Sequence, residues 1–244
     1  MGTYSTTLFC QTNDAKRVAT VLLNLGRSAF VLPPKHGYVL VYDQECDDQD
    51  EVVVGQLCSH LSRELEVTIL AVLNGDDDLL VYYLYVDGSL RDHYRSSSAP
   101  SEKWGISPSD FGSVPVLCEV FNRPRSSKKL ESILMSAAYL FESERFEALS
   151  IVMGLPYKYA QLSYREISES INNSEMKSSS VMILTRSQLK GFGGLEIPLR
   201  IYDPEGEVRA LVRENRLISA IDLYRRENNC TLQEAYSYVM SLTR

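Results

Sequence analysis

Histidine, tryptophan and paired cysteines are scarce in this chain, and each shortage removes a class of chemistry. There are three histidines, His36, His60 and His93, and no H-E-x-x-H or G-x-S-x-G motif. Neither a zinc-hydrolase helix nor a serine-nucleophile turn is therefore written in the sequence. Cys58 and His60, two apart on an expected helix, point to different faces. The five cysteines, Cys10, Cys46, Cys58, Cys118 and Cys230, are widely spaced and form no C-x-x-C pair. Zinc sites and disulfide frameworks need the opposite pattern, so reduced, buried thiols are expected. No apolar run approaches the roughly 20 residues of a membrane span, and Leu79 to Val86 is only strand-length. A basic segment followed by an apolar one is missing at the start, so no secretory leader is expected. Met1-Gly2-Thr3-Tyr4-Ser5-Thr6 fits a myristoylation pattern, but no polybasic patch supplies the second anchor that stable attachment requires. The expectation is a cytoplasmic protein with no membrane partner, no cofactor and no metal.

What the chain does contain is ample apolar surface. It has 244 residues, 44% hydrophobic and 23% charged, enough for one large domain or two small ones. The formal charge is −7, and it is unevenly placed. Residues 1–96 hold seven basic and fourteen acidic side chains, 97–160 seven of each, and 161–244 eleven of each. An acidic surface repels phosphate, which argues against nucleic-acid binding by the N-terminal part.

Periodicity predicts the elements. Thr3 to Cys10 reads as a strand. A helix capped by Asn13 or Asp14 follows to about Leu25 and is closed by Gly26. Ala29 to Leu32 and Tyr38 to Tyr42 are β-rich, and Asp47, Asp48 and Asp50 open a second helix with Val53, Leu57, Leu61 and Leu65 in one stripe. Val67 to Leu73 and Leu79 to Val86 are strands, and Asp87-Gly88 marks a tight hairpin back through Tyr94. The order predicts an α+β fold: an antiparallel sheet with a ferredoxin-like β-α-β-β-α-β core, two helices on one face and an added hairpin. A helical region and a C-terminal αα-hairpin follow it. The expected domains are 1–96, the acidic sheet domain; 97–115, a Ser/Pro-rich linker or loop; 116–204, helical with short strands; and 205–244, the hairpin. Val116 to Phe121 is expected as a strand and Leu130 to Phe141 as one helical face. Ser163 and Glu166 form a capping box, Asn172 to Ser180 reads as a second linker, and Val181 to Leu184 and Leu195 to Tyr202 read as short strands.

Several constellations resemble sites and fail on spacing. The acidic run from Asp43 to Glu51 has Asp48 where a calcium loop needs Gly and Val54 where it needs Glu, so helix-dipole complementation explains it better. Asp76-Asp77-Asp78 reads as a solvated turn. Gly191-Phe192-Gly193-Gly194 precedes Leu195-Glu196-Ile197-Pro198 rather than a helix, so it is no dinucleotide fingerprint. Tyr83 and Tyr85 share one sheet face and Tyr82 and Leu84 the other, which favours cross-strand packing or a protein-binding face over base stacking. A helix-turn-helix reader over 143–172 is a minor alternative, with nucleic-acid binding through residues 123–165, because Tyr157 to Ser163 is long for that turn and the second helix carries only Arg165 as a base-reading cation. Trp104 lies in the polar loop as a lid or contact residue.

The run Ile218-Ser219-Ala220-Ile221-Asp222-Leu223-Tyr224-Arg225, continuing to Leu232-Gln233-Glu234-Ala235 and Val239, resembles the helical hairpin in the C-terminal domain of the large-subunit ribosomal stalk protein. The likeness covers about Asn215 to Leu242. Where that family has lysines this chain has Asp222, Gln233 and Tyr236, and its glycines are Asn229 and Thr231. The factor-binding role is therefore not carried over, and the resemblance implies a compact αα-hairpin with a docking or clamping role. Thr231 and Glu234 form a capping box, and the first arm breaks near Asn215. Leu84-Tyr85-Val86-Asp87-Gly88 and Phe146-Glu147-Ala148-Leu149 with Gly154-Leu155-Pro156 are similar to stretches of uncharacterised bacterial proteins.

The resulting expectation is a non-enzymatic protein-interaction module, with Tyr224, Tyr236, Tyr238 and Trp104 as protein-binding candidates. Tyrosine suits that role because it offers large contact area at low entropic cost. The competing expectation is a ligand-binding protein or enzyme with a cleft between the sheet domain and the central helices.

Overall fold

The computed structural model describes residues 4–96, 112–157, 160, 162–172, 182–184, 204–213, 216–228 and 231–243. The chain divides into two compact units, one of 1–176 with 182–197 and the other of 177–181 with 198–244.

The first unit is built on seven strands: β1 (Tyr4–Cys10), β2 (Ala29–Val31), β3 (Val39–Asp43), β4 (Ile69–Gly75), β5 (Leu79–Val86), β6 (Ser89–Arg95) and β7 (Met182–Leu184). They lie in the order β6-β5-β4-β1-β3-β2-β7, every neighbouring pair antiparallel. The inner order 4-1-3-2 arises because α1 (Ala15–Asn24) and α2 (Glu51–Leu65) each carry the chain over one strand. The β5–β6 hairpin extends the β4 edge through Asp87 and Gly88, both at positive φ. The positive φ favours glycine at Gly88, where a Cβ would sit 2.8 Å from Nε of the flexible Arg63 side chain and push it aside.

Helix starts follow the chemistry of their first residues. Asp14 accepts the Arg17 amide at the head of α1, and Asp50 accepts those of Val52 and Val53 at the head of α2. Val18, Leu22, Val54, Leu57, Leu61 and Leu65 then meet Leu8, Val39, Val41, Ile69, Ala71 and Val81 in one core.

The second sheet face is also covered. It carries α3 (Val114–Val120), α4 (Ser127–Met135), α5 (Glu142–Met153) and α6 (Tyr164–Asn172). Phe146 meets Phe9 edge-on at 6.0 Å, Tyr164 lies 4.6 Å from Phe30, and Tyr94 donates to the Leu134 carbonyl at 3.0 Å. The unit is thus three layers deep, and β1, β3 and β4 are buried on both faces, β3 and β4 with nearly continuous apolar composition and β1 with Ser5, Thr6 and Thr7 buried beside Leu8 and Phe9.

Three expectations are corrected. Val116 to Phe121 is not a strand but most of α3, which Pro115 starts and whose N-cap amide, Ser113, donates to Asp92 at 2.9 and 3.0 Å. The helix expected to reach Phe141 ends at Met135, where Arg145 takes up its carbonyls. The acidic run is only in part a helix-dipole feature. Asp43 is buried and paired with Arg27, while Asp47 accepts the Tyr164 and Arg165 amides and so caps α6 from 117 residues away.

The second unit contains α7 (Pro204–Arg213), α8 (Leu217–Asn228) and α9 (Leu232–Ser241), packed around Val208, Ala220, Leu223 and Val239. α7 ends at Arg213 and α8 begins at Leu217, while Asn215, the expected break, lies outside the described residues. The expected strand Leu195 to Tyr202, the turn Gly191 to Gly194, and nearly all of both expected linkers lie outside the described residues.

Candidate functional site

In the second unit, the order of apolar residues along α9 decides what faces outward. Thr231 caps its start: the Glu234 amide donates to Thr231 Oγ1 at 3.3 Å and the Thr231 amide to Glu234 Oε2 at 2.8 Å. The Thr231 amide and hydroxyl together hold the Glu234 carboxyl below its ordinary 4.5. Ala235 and Val239 turn into the unit's core. Leu232 and Tyr236, four apart, face solvent at 61% and 52% exposure, and half-buried Met240 continues their line.

The four candidates from sequence therefore separate. Tyr224 and Tyr238 stack on each other at 3.9 Å and 14°, packed against the core of their own unit. Tyr236 is the tyrosine of this hairpin that faces outward. Trp104 lies outside the described residues. Leu232, whose spacing with Ala235 and Val239 predicts an inward-facing position, is instead exposed beside Tyr236.

In the first unit, the space between sheet and α5 is packed shut. Leu70, Val72, Leu80, Tyr82, Phe146, Leu149 and Met153 enclose ≈ 0 Å³ of room for water. Of the polar groups buried nearby, Tyr82 and Asp92 bind each other, whereas the Ser150 hydroxyl of α5 has no hydrogen-bond partner. Tyr82 donates to Asp92 at 2.7 Å, and burial together with that carboxylate raises the phenol well above its ordinary 10.0. An open groove of ≈ 460 Å³ runs beside α6, lined by Gln44, Asp47, Asp48, Tyr164, Arg165, Ser168 and Glu169. Burial raises the Asp47 carboxyl there, with the Tyr164 and Arg165 amides opposing it.

Cys10, Cys46 and Cys58 are buried free thiols; Cys118 is half-buried and free, and Cys230 lies outside the described residues. Burial pushes the Cys10 thiol up to about 12 and Cys46 and Cys58 in the same direction. Those thiols are poor nucleophiles. Among the described residues no group of three or more His, Cys, Asp or Glu is placed to hold a metal ion. None of the described helices is long and apolar enough to cross a membrane.

Together the fold and these surfaces define an α+β protein whose α9 presents apolar side chains to solvent. No family model, curated protein or solved structure matches the chain.

Proposed function

We propose that the chain is a non-enzymatic protein-interaction module acting in the cytoplasm, with α9 as a docking helix. The observation that carries this reading is the exposure of Leu232 and Tyr236 side by side on a helix whose other face is already buried. A tyrosine and a leucine held rigidly in this way lose little entropy on binding, and partially exposed aromatic residues are frequent binding hot spots.

The test is photo-cross-linking in cells of the source organism, with p-benzoylphenylalanine placed at position 236 of the full chain. A discrete protein adduct that disappears in the Leu232→Glu background, with helicity unchanged by circular dichroism, supports the docking helix. Adducts that are diffuse, or that persist unchanged with Leu232→Glu, overturn it. With the partner in hand, Tyr236→Ala is expected to weaken the complex about tenfold, on the order of 1.4 kcal/mol.

A further inference from the structure

The sheet-facing side of α5 is fully used: Phe146, Leu149, Val152 and Met153 are buried there. Its opposite side is not simply polar. Glu144, Glu147 and Ile151 are exposed and Ala148 is half-buried, a spacing that places them along one face. Leu140 and Phe141 stand just ahead of the first turn at 82% and 49% exposure, and Ile151 lies near the last at 67%. A helix that is apolar on both sides is normally covered on both.

The charge between those apolar ends is negative. Glu142 donates its amide to the Asp77 carbonyl at 3.0 Å, which brings the Asp76-Asp77-Asp78 turn against the start of α5. Burial is the larger cause of the raised Tyr157 pKa, and the charges of Glu147, Asp77 and Glu144 push it the same way. Among the described residues no ion pair engages Glu144 or Glu147. At the far end Arg123 donates to the Val152 carbonyl at 3.0 Å, which confines the negative field to the middle and start of the face.

We propose that this outer face of α5 docks a basic amphipathic segment of another protein. Its two apolar anchors would be spaced about 15 Å apart, to meet Phe141 with Leu140 at one end and Ile151 at the other. Lys or Arg between the anchors would meet Glu144 and Glu147. Charge complementarity selects this occupant. An anionic bilayer would be repelled by the acidic middle of the face. A second copy related by a two-fold axis would set Glu144 and Glu147 against their own counterparts, because both sit near the centre of the stripe.

The probe is a fluorescein-labelled synthetic helix with two leucine anchors ten residues apart and lysines between them. Its partner probe carries glutamates in place of the lysines. Both are titrated against the full chain by anisotropy at low and moderate salt. The lysine helix is expected to bind, and Ile151→Glu to weaken it at least tenfold. The Glu144→Lys/Glu147→Lys protein is expected to lose the lysine helix and gain the glutamate one, an exchange that a merely damaged fold cannot produce. Leu232→Glu leaves this binding unchanged, which separates it from docking at α9. Failure of the lysine helix to bind, or equal binding to wild type and the charge-reversed protein, overturns the proposal. So does a dimer that Ile151→Glu dissociates, or sedimentation with phosphatidylserine vesicles that Ile151→Glu abolishes.

Discussion

Arg145 shows how much one buried side chain can organise. It is 2% exposed and donates to Glu142 at 2.7 Å and to the carbonyls of Ile133, Leu134 and Ser136 at 2.6, 3.2 and 2.8 Å. Those carbonyls end α4, so one guanidinium closes that helix and ties it to α5, with Tyr139 4.8 Å from its centre. Arg145→Met leaves the Glu142 carboxylate buried without its counter-charge. A loss of about 3–5 kcal/mol is expected in urea unfolding, largely recovered by adding Glu142→Gln. A loss below about 1 kcal/mol would refute the assigned role. This residue was not legible from sequence, because an Arg three places after a Glu on a helix reads as a surface pair. The buried thiols were legible, since five widely spaced Cys residues with no C-x-x-C pair suit neither a zinc site nor a disulfide framework. For Cys10 the sign is definite: its ordinary value is 9.0 and its folded value about 12, so the folded state holds the proton longer. Its contribution to stability is fully present below pH 9 and lost as pH rises through about 12. Iodoacetamide at pH 8 should accordingly leave Cys10, Cys46 and Cys58 unmodified in the folded chain and label them in guanidinium, as mapped by mass spectrometry.

Among elements, the strands, the capping boxes and the hairpin turn were legible, and Val114–Val120 was not. Both capping boxes are present: Ser163 with Glu166, at 2.7 and 3.1 Å, and Thr231 with Glu234. Thr231→Ala is expected to cost about 1 kcal/mol, seen as earlier melting of the second unit's helical signal with the first unit unaffected. The Asp87-Gly88 turn was equally plain, because its positive φ values admit few residue types. Val114–Val120 failed because seven mostly apolar residues fit a buried strand and a short helix alike. Its real determinant, Asp92 receiving the Ser113 amide, lies 21 residues away. Both apolar ends of α5 were visible as letters, but their exposure depends on which side the sheet takes.

At the scale of the molecule, strand order in the core followed from the element sequence, because each helix must return the chain across one strand. The third layer did not follow. Phe9, Leu70, Val72, Leu80 and Tyr82 are buried, and among the described residues it is helices from beyond residue 112 that cover that face. A fragment of residues 1–96 should therefore expose it, aggregating or binding ANS. Residues 1–197 should give a soluble, cooperatively melting protein, as judged by gel filtration and thermal circular dichroism. A soluble, cooperative 1–96 fragment would show that the second layer of helices is dispensable.

Strand β1 sits between β3 and β4 and is paired along its whole length with β4, Tyr4 opposite Gly75 and Cys10 opposite Ile69. During synthesis, the segment at the middle of the sheet is made first and its full-length partner arrives some 65 residues later. At ribosomal speeds of about 5–20 residues per second, that is a wait of roughly 3–13 s. Leu8 and Phe9 meet Val41 and Leu40 of β3 about halfway through it, but Tyr4 to Thr7 have no strand partner until β4 arrives. The nascent chain is then open to the wrong strand of a neighbouring polysome product, and whatever shields it has to hold on until Gly75 has cleared the exit tunnel.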